Sequence, residues 1–216
     1  MAYLDEKLQQ QVSEFLQDLQ DPVQLFIYPG PQAEYFQVFW DISQEVAQLT
    51  PLFSVTTLES APELEPGHET GQSITGPIGI LANKDHQQTG IRYVGIPSGL
   101  EFGTFLEDIK ALSTHHVTLS EKAQETLKQL GQPVHIQVFT TPTCRWCPRA
   151  VRLAHDMALV QPQITADLID SGTFNELAAR YDVSSVPKSI FNGHVEILGA
   201  VPENDYLKGL LNAALH

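Results

Sequence analysis

Apolar residues along the chain fall into two series of helix-like and strand-like runs. Leu4, Leu8, Val12, Phe15, Leu16 and Leu19 recur at the three- and four-residue spacing of an amphipathic helix. The run Val23–Tyr28 is apolar and β-prone, and Pro29, Gly30 and Pro31 stop it. Tyr35, Phe36, Phe39, Ile42, Val46 and Leu49 return to helical spacing, and 52–58 reads as a short strand. The same order begins again 111 residues later. Leu119, Ala123, Leu127 and Leu130 mark a helix, opened by Thr118 and Glu121 in the spacing of a capping box. A strand at 134–139 follows, then a helix marked by Ala150, Val151, Leu153, Ala154, Met157 and Ala158, then a strand at 164–169.

The two series also end alike. Gly76-Pro77 and Val186-Pro187 each introduce a strand, and each strand is followed by a turn (83–90 and 192–193), a further strand (91–96 and 195–200) and a helix (100–112 and 204–215). Asn192-Gly193 between apolar runs is a hairpin signal. The repeat predicts two units, 1–117 and 118–216, each an α/β unit with a mixed sheet flanked by helices. They are unequal. The second has a helical pattern at 173–181 where the first has 60–75, a loop-like stretch with Pro62, Pro66, Gly67 and Gly71. Residues 1–118 hold 16 acidic and 4 basic residues, against 10 and 8 in 119–216.

Composition narrows the function classes. The chain has 216 residues, 42% hydrophobic and 18% charged, with a formal charge of −14. That is a globular composition whose overall field repels nucleic acid and anionic membrane. No apolar run approaches the roughly 18 residues that span a bilayer. The segment from Met1 to Glu6 has neither the basic nor the apolar region of a signal peptide, so a cytoplasmic setting is expected.

The two cysteines, Cys144 and Cys147, carry the chemistry. They stand between the predicted strand 134–139 and the helix that follows, separated by Arg145 and Trp146. The free N–H groups and partial positive charge of a helix N-terminus stabilise a thiolate there. Arg145, Arg149 and Arg152 add positive charge, and Pro148 suits a first turn, where a missing N–H is tolerated. Cys144, nearer the helix start, is the expected nucleophile, and Cys147 the resolving thiol. Half of a zinc site and a pair of inert thiols are the alternatives at this spacing. Zinc would need two further ligands, and no second pair of cysteines exists. His155 reads as a packed helix residue. The Val186-Pro187 bond is open to cis or trans. If cis, it leaves Val186 backbone groups beside the cysteines, free to pair with an extended substrate. In the first repeat Ala33 and Phe36 stand where the cysteines would, so that half has no dithiol chemistry.

The segments from Thr141 to His155 and from Ala179 to Lys188, together with that from Gly90 to Ile109, resemble the glutaredoxin-like protein disulfide oxidoreductases, which have two fused thioredoxin folds. The resemblance implies two tandem thioredoxin-like folds and thiol–disulfide exchange. It implies a cis-proline at Pro187, substrate contacts at Arg145, Trp146, Val186 and Pro187, and support from Pro142 and Arg149. No cofactor and no metal are called for. Members often carry a cysteine pair in each half. This chain, with one, is similar to the N-terminal module of the alkyl hydroperoxide reductase flavoprotein. The implied substrates are disulfide-containing proteins, a peroxiredoxin among them. The implied electron donor is a thioredoxin-reductase-like flavoprotein or a low-molecular-weight thiol. A non-catalytic binding module and a thiol-based peroxide sensor are the competing readings.

Overall fold

Val23, Leu25 and Ile27 are buried while Gln24, Phe26 and Tyr28 are half-exposed, the period of two that makes a strand with one core face. This strand, β1 (Val23–Tyr28), lies in a computed structural model that describes residues 2–63 and 75–215. Before it runs α1 (Glu6–Leu16), capped by the Asp5 side chain, and after it α2 (Ala33–Ala47), β2 (Phe53–Thr57), β3 (Ile78–Ala82), β4 (Gln88–Val94) and α3 (Glu101–Thr114). The second series is α4 (Glu121–Lys128), β5 (Val134–Thr140), α5 (Cys147–Val160), β6 (Ile164–Asp170), α6 (Asn175–Arg180), β7 (Lys188–Phe191), β8 (Val195–Leu198) and α7 (Glu203–Ala213).

Local departures from expectation have local causes. Strand β4 starts at Gln88, inside the predicted turn, because Asn83 closes a tighter one. Its side chain accepts from the Asp85 and Gln87 N–H groups. The cap of α4 is Ser120, not Thr118. Thr118 instead donates its N–H and hydroxyl to Asp156, at 2.8 and 2.6 Å. Most of the loop-like stretch 60–75 lies outside the described residues.

The strands form one mixed sheet of order β2-β1-β3-β4-β6-β5-β7-β8. Each series supplies four adjacent strands with the same pairing: parallel, antiparallel, antiparallel. The sets are joined by parallel pairing of β4 with β6, from Ile91–Ala166 to Val94–Ile169. An edge strand of each set is thereby covered by the other. One core, holding Phe39, Phe105, Ala154 and Leu210, packs helices α2, α3, α5 and α7 on one face of the sheet. A smaller one packs Phe174 and Leu177 against Ile80, Phe139 and Ile169 on the other.

Charged groups are buried along the junction. Arg92 of β4 donates through Nε and Nη2 to both Asp167 oxygens on β6, the second at 2.7 Å. His135 Nε2 of β5 lies 2.7 Å from Asp167 Oδ2. Burial pushes the Asp167 carboxyl up, but Arg92 and His135 outweigh it and hold it down at about 2. Its contribution to stability is therefore present above the unfolded value and lost as pH falls through the folded one. Removing Arg92 leaves Asp167 buried and half-paired. Arg92→Ala is expected to cost about 3–5 kcal/mol in urea unfolding near neutral pH. The deficit shrinks as pH falls towards 2, where Asp167 takes up a proton.

Candidate functional site

The parallel strands β4, β6 and β5 all end at the same end of the sheet. The chain leaves β5 at Thr140 and turns through Pro142 and Thr143, with the Cys144 N–H bonded to the Thr141 carbonyl at 3.1 Å. Trp146 is the N-cap of α5, and Cys147 and Pro148 are its first residues. The missing N–H of Pro148 is one that a helix start leaves free in any case. No carboxylate occupies this first turn.

The cysteines differ in access. Cys144 is half-buried, Cys147 is fully buried, and the two are joined as a disulfide with 5.5 Å between their Cα atoms. The Cys147 N–H donates to Cys144 Sγ at 3.1 Å. A helix N-terminal donor thus meets the outer sulfur, the arrangement that stabilises negative charge on it. Among the described residues, no cluster of three or more His, Cys, Asp or Glu side chains that could hold a metal ion is present.

The antiparallel register of β5 with β7 pairs Phe139 with Lys188, so Val186 and Pro187 stand beside the start of the cysteine loop. The Val186-Pro187 bond is cis. Pro187 is buried and Val186 is half-buried. Trp146 is 66% exposed, and Arg145 and Arg149 are exposed without an ion-pair partner among the described residues. Pro142 is half-buried, and its carbonyl accepts the Leu100 N–H at 3.0 Å. Leu100 is the N-cap of α3, in the cysteine-free half. The preceding Gly99 has φ +62, and a Cβ there would overlap the Pro142 carbonyl oxygen.

Arg152 departs from the sequence expectation. It is not part of a positive field at the thiols. It is half-buried and bonds Asp108 Oδ1 and Asp156 Oδ1 at 2.7 and 2.6 Å. His155, read as a packed residue, is fully buried with Nδ1 2.6 Å from Asp108 Oδ2. Asp108 of α3 also accepts from the Tyr93 hydroxyl at 2.7 Å. This buried network binds the cysteine helix α5 to α3 of the other half.

A family model described as Thioredoxin domain matches residues 134–212, the stretch that holds this dithiol and the cis-proline. The AhpF protein of alkyl hydroperoxide reductase from Staphylococcus aureus (strain NCTC 8325 / PS 47) is 24% identical over 211 residues, 98% of this chain and 38% of that protein. The chain therefore spans less than two fifths of the length of that relative. The structure of the C503A mutant of alkylhydroperoxide reductase AhpF from Enterococcus faecalis (V583) has a TM-score of 0.83 at 25% identity. The match covers 96% of this chain and 99% of that one. A protein disulfide oxidoreductase from Aeropyrum pernix K1 has a TM-score of 0.74 at 24% identity, covering 100% of this chain and 95% of that one. The tandem thioredoxin-like architecture is shared with these proteins.

One residue next to the Leu100–Pro142 hydrogen bond has no counterpart among the residues singled out from the sequence. Glu101 opens α3 and is buried. Oε1 has no hydrogen-bond partner among the described residues, and Oε2 accepts from Thr104 at 3.3 Å. Burial, reinforced by the charge of Asp108, pushes its carboxyl up from 4.5 to about 7 despite the Thr104 hydroxyl. In the sequence it looks like an ordinary helix-opening acid; only its burial in the folded chain makes it unusual. The unfolded chain releases this proton near 4.5 and the folded chain near 7, so stability falls as pH rises between them. Urea denaturation of wild type at pH 5 and pH 8 is expected to show a loss of up to about 3 kcal/mol from this group. Glu101→Gln abolishes that component of the loss and is the more stable protein at pH 8.

Proposed function

We propose that the chain is a thiol–disulfide oxidoreductase that reduces protein disulfides by dithiol exchange. The observation that carries this reading is the pairing of a half-exposed Cys144, bonded by a helix N-terminal N–H, with a buried Cys147 in disulfide contact. In the reduced protein the Cys144 thiolate attacks one sulfur of a substrate disulfide. That S–S bond breaks, one substrate thiolate leaves, and a mixed disulfide forms. The Cys147 thiolate then attacks Cys144 Sγ, and the second substrate thiolate leaves. Two electrons have passed to the substrate, and the Cys144–Cys147 disulfide remains.

Residue roles follow from position. Trp146 and Arg145 frame the nucleophile, and the half-buried Val186 offers backbone groups to an extended substrate beside Pro187. Pro142 supports the loop from below through its carbonyl, and Arg149 adds charge. Residues 1–117 and 118–216 are read as the two repeats, the first a cysteine-free partner of the second. The resemblance to the AhpF proteins of alkyl hydroperoxide reductase supports a peroxiredoxin-type substrate and a flavoprotein reductase or small thiol as electron donor. A cytoplasmic setting fits a reductase. Among the described residues no helix is long and apolar enough to cross a membrane.

Two experiments test this reading. Cys144→Ser is expected to abolish reduction of a protein disulfide, and Cys147→Ser to accumulate mixed disulfides on non-reducing gels. Full turnover by Cys144→Ser overturns the roles. Titration of Trp146 fluorescence in dithiothreitol or glutathione redox buffers should show a cysteine-dependent midpoint at about −270 to −230 mV. A midpoint near about −120 mV marks an oxidant instead.

A further inference from the structure

Helix α3 of the cysteine-free half touches the cysteine motif on both sides. Its N-cap, Leu100, donates its N–H to the Pro142 carbonyl at 3.0 Å, two residues before Cys144. Further along α3 the buried Asp108 grips α5. Asp108 Oδ1 accepts from Arg152 at 2.7 Å, and Oδ2 lies 2.6 Å from His155 Nδ1. These partners stand five and eight residues after Cys147. The Tyr93 hydroxyl of β4 donates to the same carboxylate at 2.7 Å and fixes it from the sheet. Leu100 and Asp108 are eight residues apart, roughly 12 Å along the helix axis.

The contact with Pro142 holds one particular peptide. Residues 141–144 form a turn, closed by the Cys144 N–H on the Thr141 carbonyl. Type I and type II turns differ by a flip of the peptide between the two central residues, and the Pro142 carbonyl belongs to that peptide. Type II needs a positive φ at the third residue, and Thr143 is not among the positive-φ residues. The Leu100 N–H therefore locks the peptide whose orientation sets how the turn delivers Cys144. Gly99, with φ +62, lets the corner come this close, since a Cβ on it would overlap the Pro142 oxygen.

The reduced protein needs such a hold. With the disulfide opened, the turn and α5 are joined only through Arg145 and Trp146, both exposed. The Cys147 N–H stabilises a thiolate on Cys144 only while the sulfur stays within hydrogen-bond reach of it.

We propose that α3, with the Gly99-Leu100 corner that opens it, is a splint for the dithiol: it holds the turn before Cys144 and the helix after Cys147 in fixed register, and so keeps the Cys144 sulfur on the Cys147 N–H. The proposal rests on the dithiol-exchange reading and adds Gly99, Leu100 and Asp108 to it as positioning residues, which act through Pro142 and Arg152. The half without cysteines then sets the reactivity of a thiol that it does not contain.

The test uses the full chain, reduced beforehand, and reads the rate of Cys144 alkylation by iodoacetamide against pH. Wild type is expected to show a midpoint below the free-cysteine value of about 8.5. Leu100→Pro removes only the N–H, because Leu100 already has φ −71 and Pro is tolerated at a helix start. Gly99→Ala instead drives a Cβ at the Pro142 oxygen. Each moves the midpoint up, and alkylation below it slows about two- to fivefold. If Gly99→Ala does not fold, Leu100→Pro decides. The control is Arg92→Ala. Arg92 shares with Val94 the opposite face of the sheet, so this variant loses stability but keeps the wild-type profile. A wild-type profile in Leu100→Pro overturns the proposal, as does an equal shift in Arg92→Ala, which marks general loosening; both leave dithiol exchange intact. If reduced wild type fails to reduce even oxidised glutathione, the dithiol-exchange reading falls and the splint with it.

Discussion

Parallel pairing of β4 with β6 is the constraint on which the rest of the molecule depends. Each four-strand set has an edge, and an uncovered edge is a row of unmet donors and acceptors. Joining the two edges turns two sheets into one and brings α3 of one repeat against α5 of the other. Two contacts near the dithiol follow from that juxtaposition: the Leu100–Pro142 bond and the Asp108 network. A lone thioredoxin domain would have solvent where α3 now lies.

The junction is held by charges as much as by apolar packing. Arg92, Asp167 and His135 on the sheet, and Asp108, Arg152, His155 and Tyr93 between the helices, are all buried or nearly so. Such groups are costly to bury and become acceptable only when each meets its partner. That requirement fixes how the repeats sit against each other more narrowly than a smooth apolar interface does, since a shift of one residue strands a charge. The lack of cysteines in the first repeat therefore does not free it from structural duty. Its strands, α3 and a buried carboxylate are part of the environment in which the second repeat's thiols work.

The two halves divide the tasks by chemistry. The second half supplies the two cysteines, the helix N-terminus at which they stand and the edge beside Pro187. The first half supplies an acid whose ionisation lies near neutrality, because the packing over it excludes water. Most of the chain's excess negative charge lies in that first half. Arg145 and Arg149, without an ion-pair partner among the described residues, flank Cys147 in the chain, and Arg152, the cation buried deeper along α5, is given over to holding the halves together.

Much was legible in the residues alone. The periodicities located all fifteen helices and strands seen among the described residues, because burial on one face imposes a repeat of two or 3.6 that needs no knowledge of the partner surface. The internal repeat was legible for the same reason, as were the dithiol and its place between a strand and a helix. What a one-dimensional pattern cannot carry is which edge meets which, and which charge meets which, since these depend on residues 40 to 75 positions apart, such as Arg92 with His135 or Asp167 and Asp108 with Arg152 or His155. Arg152 looked like a free cation beside the thiols, and Glu101 like any acid opening a helix. Tertiary structure decided both, because the state of a charged group is set by its distance to other charges and to water, and those distances exist only once the repeats have packed.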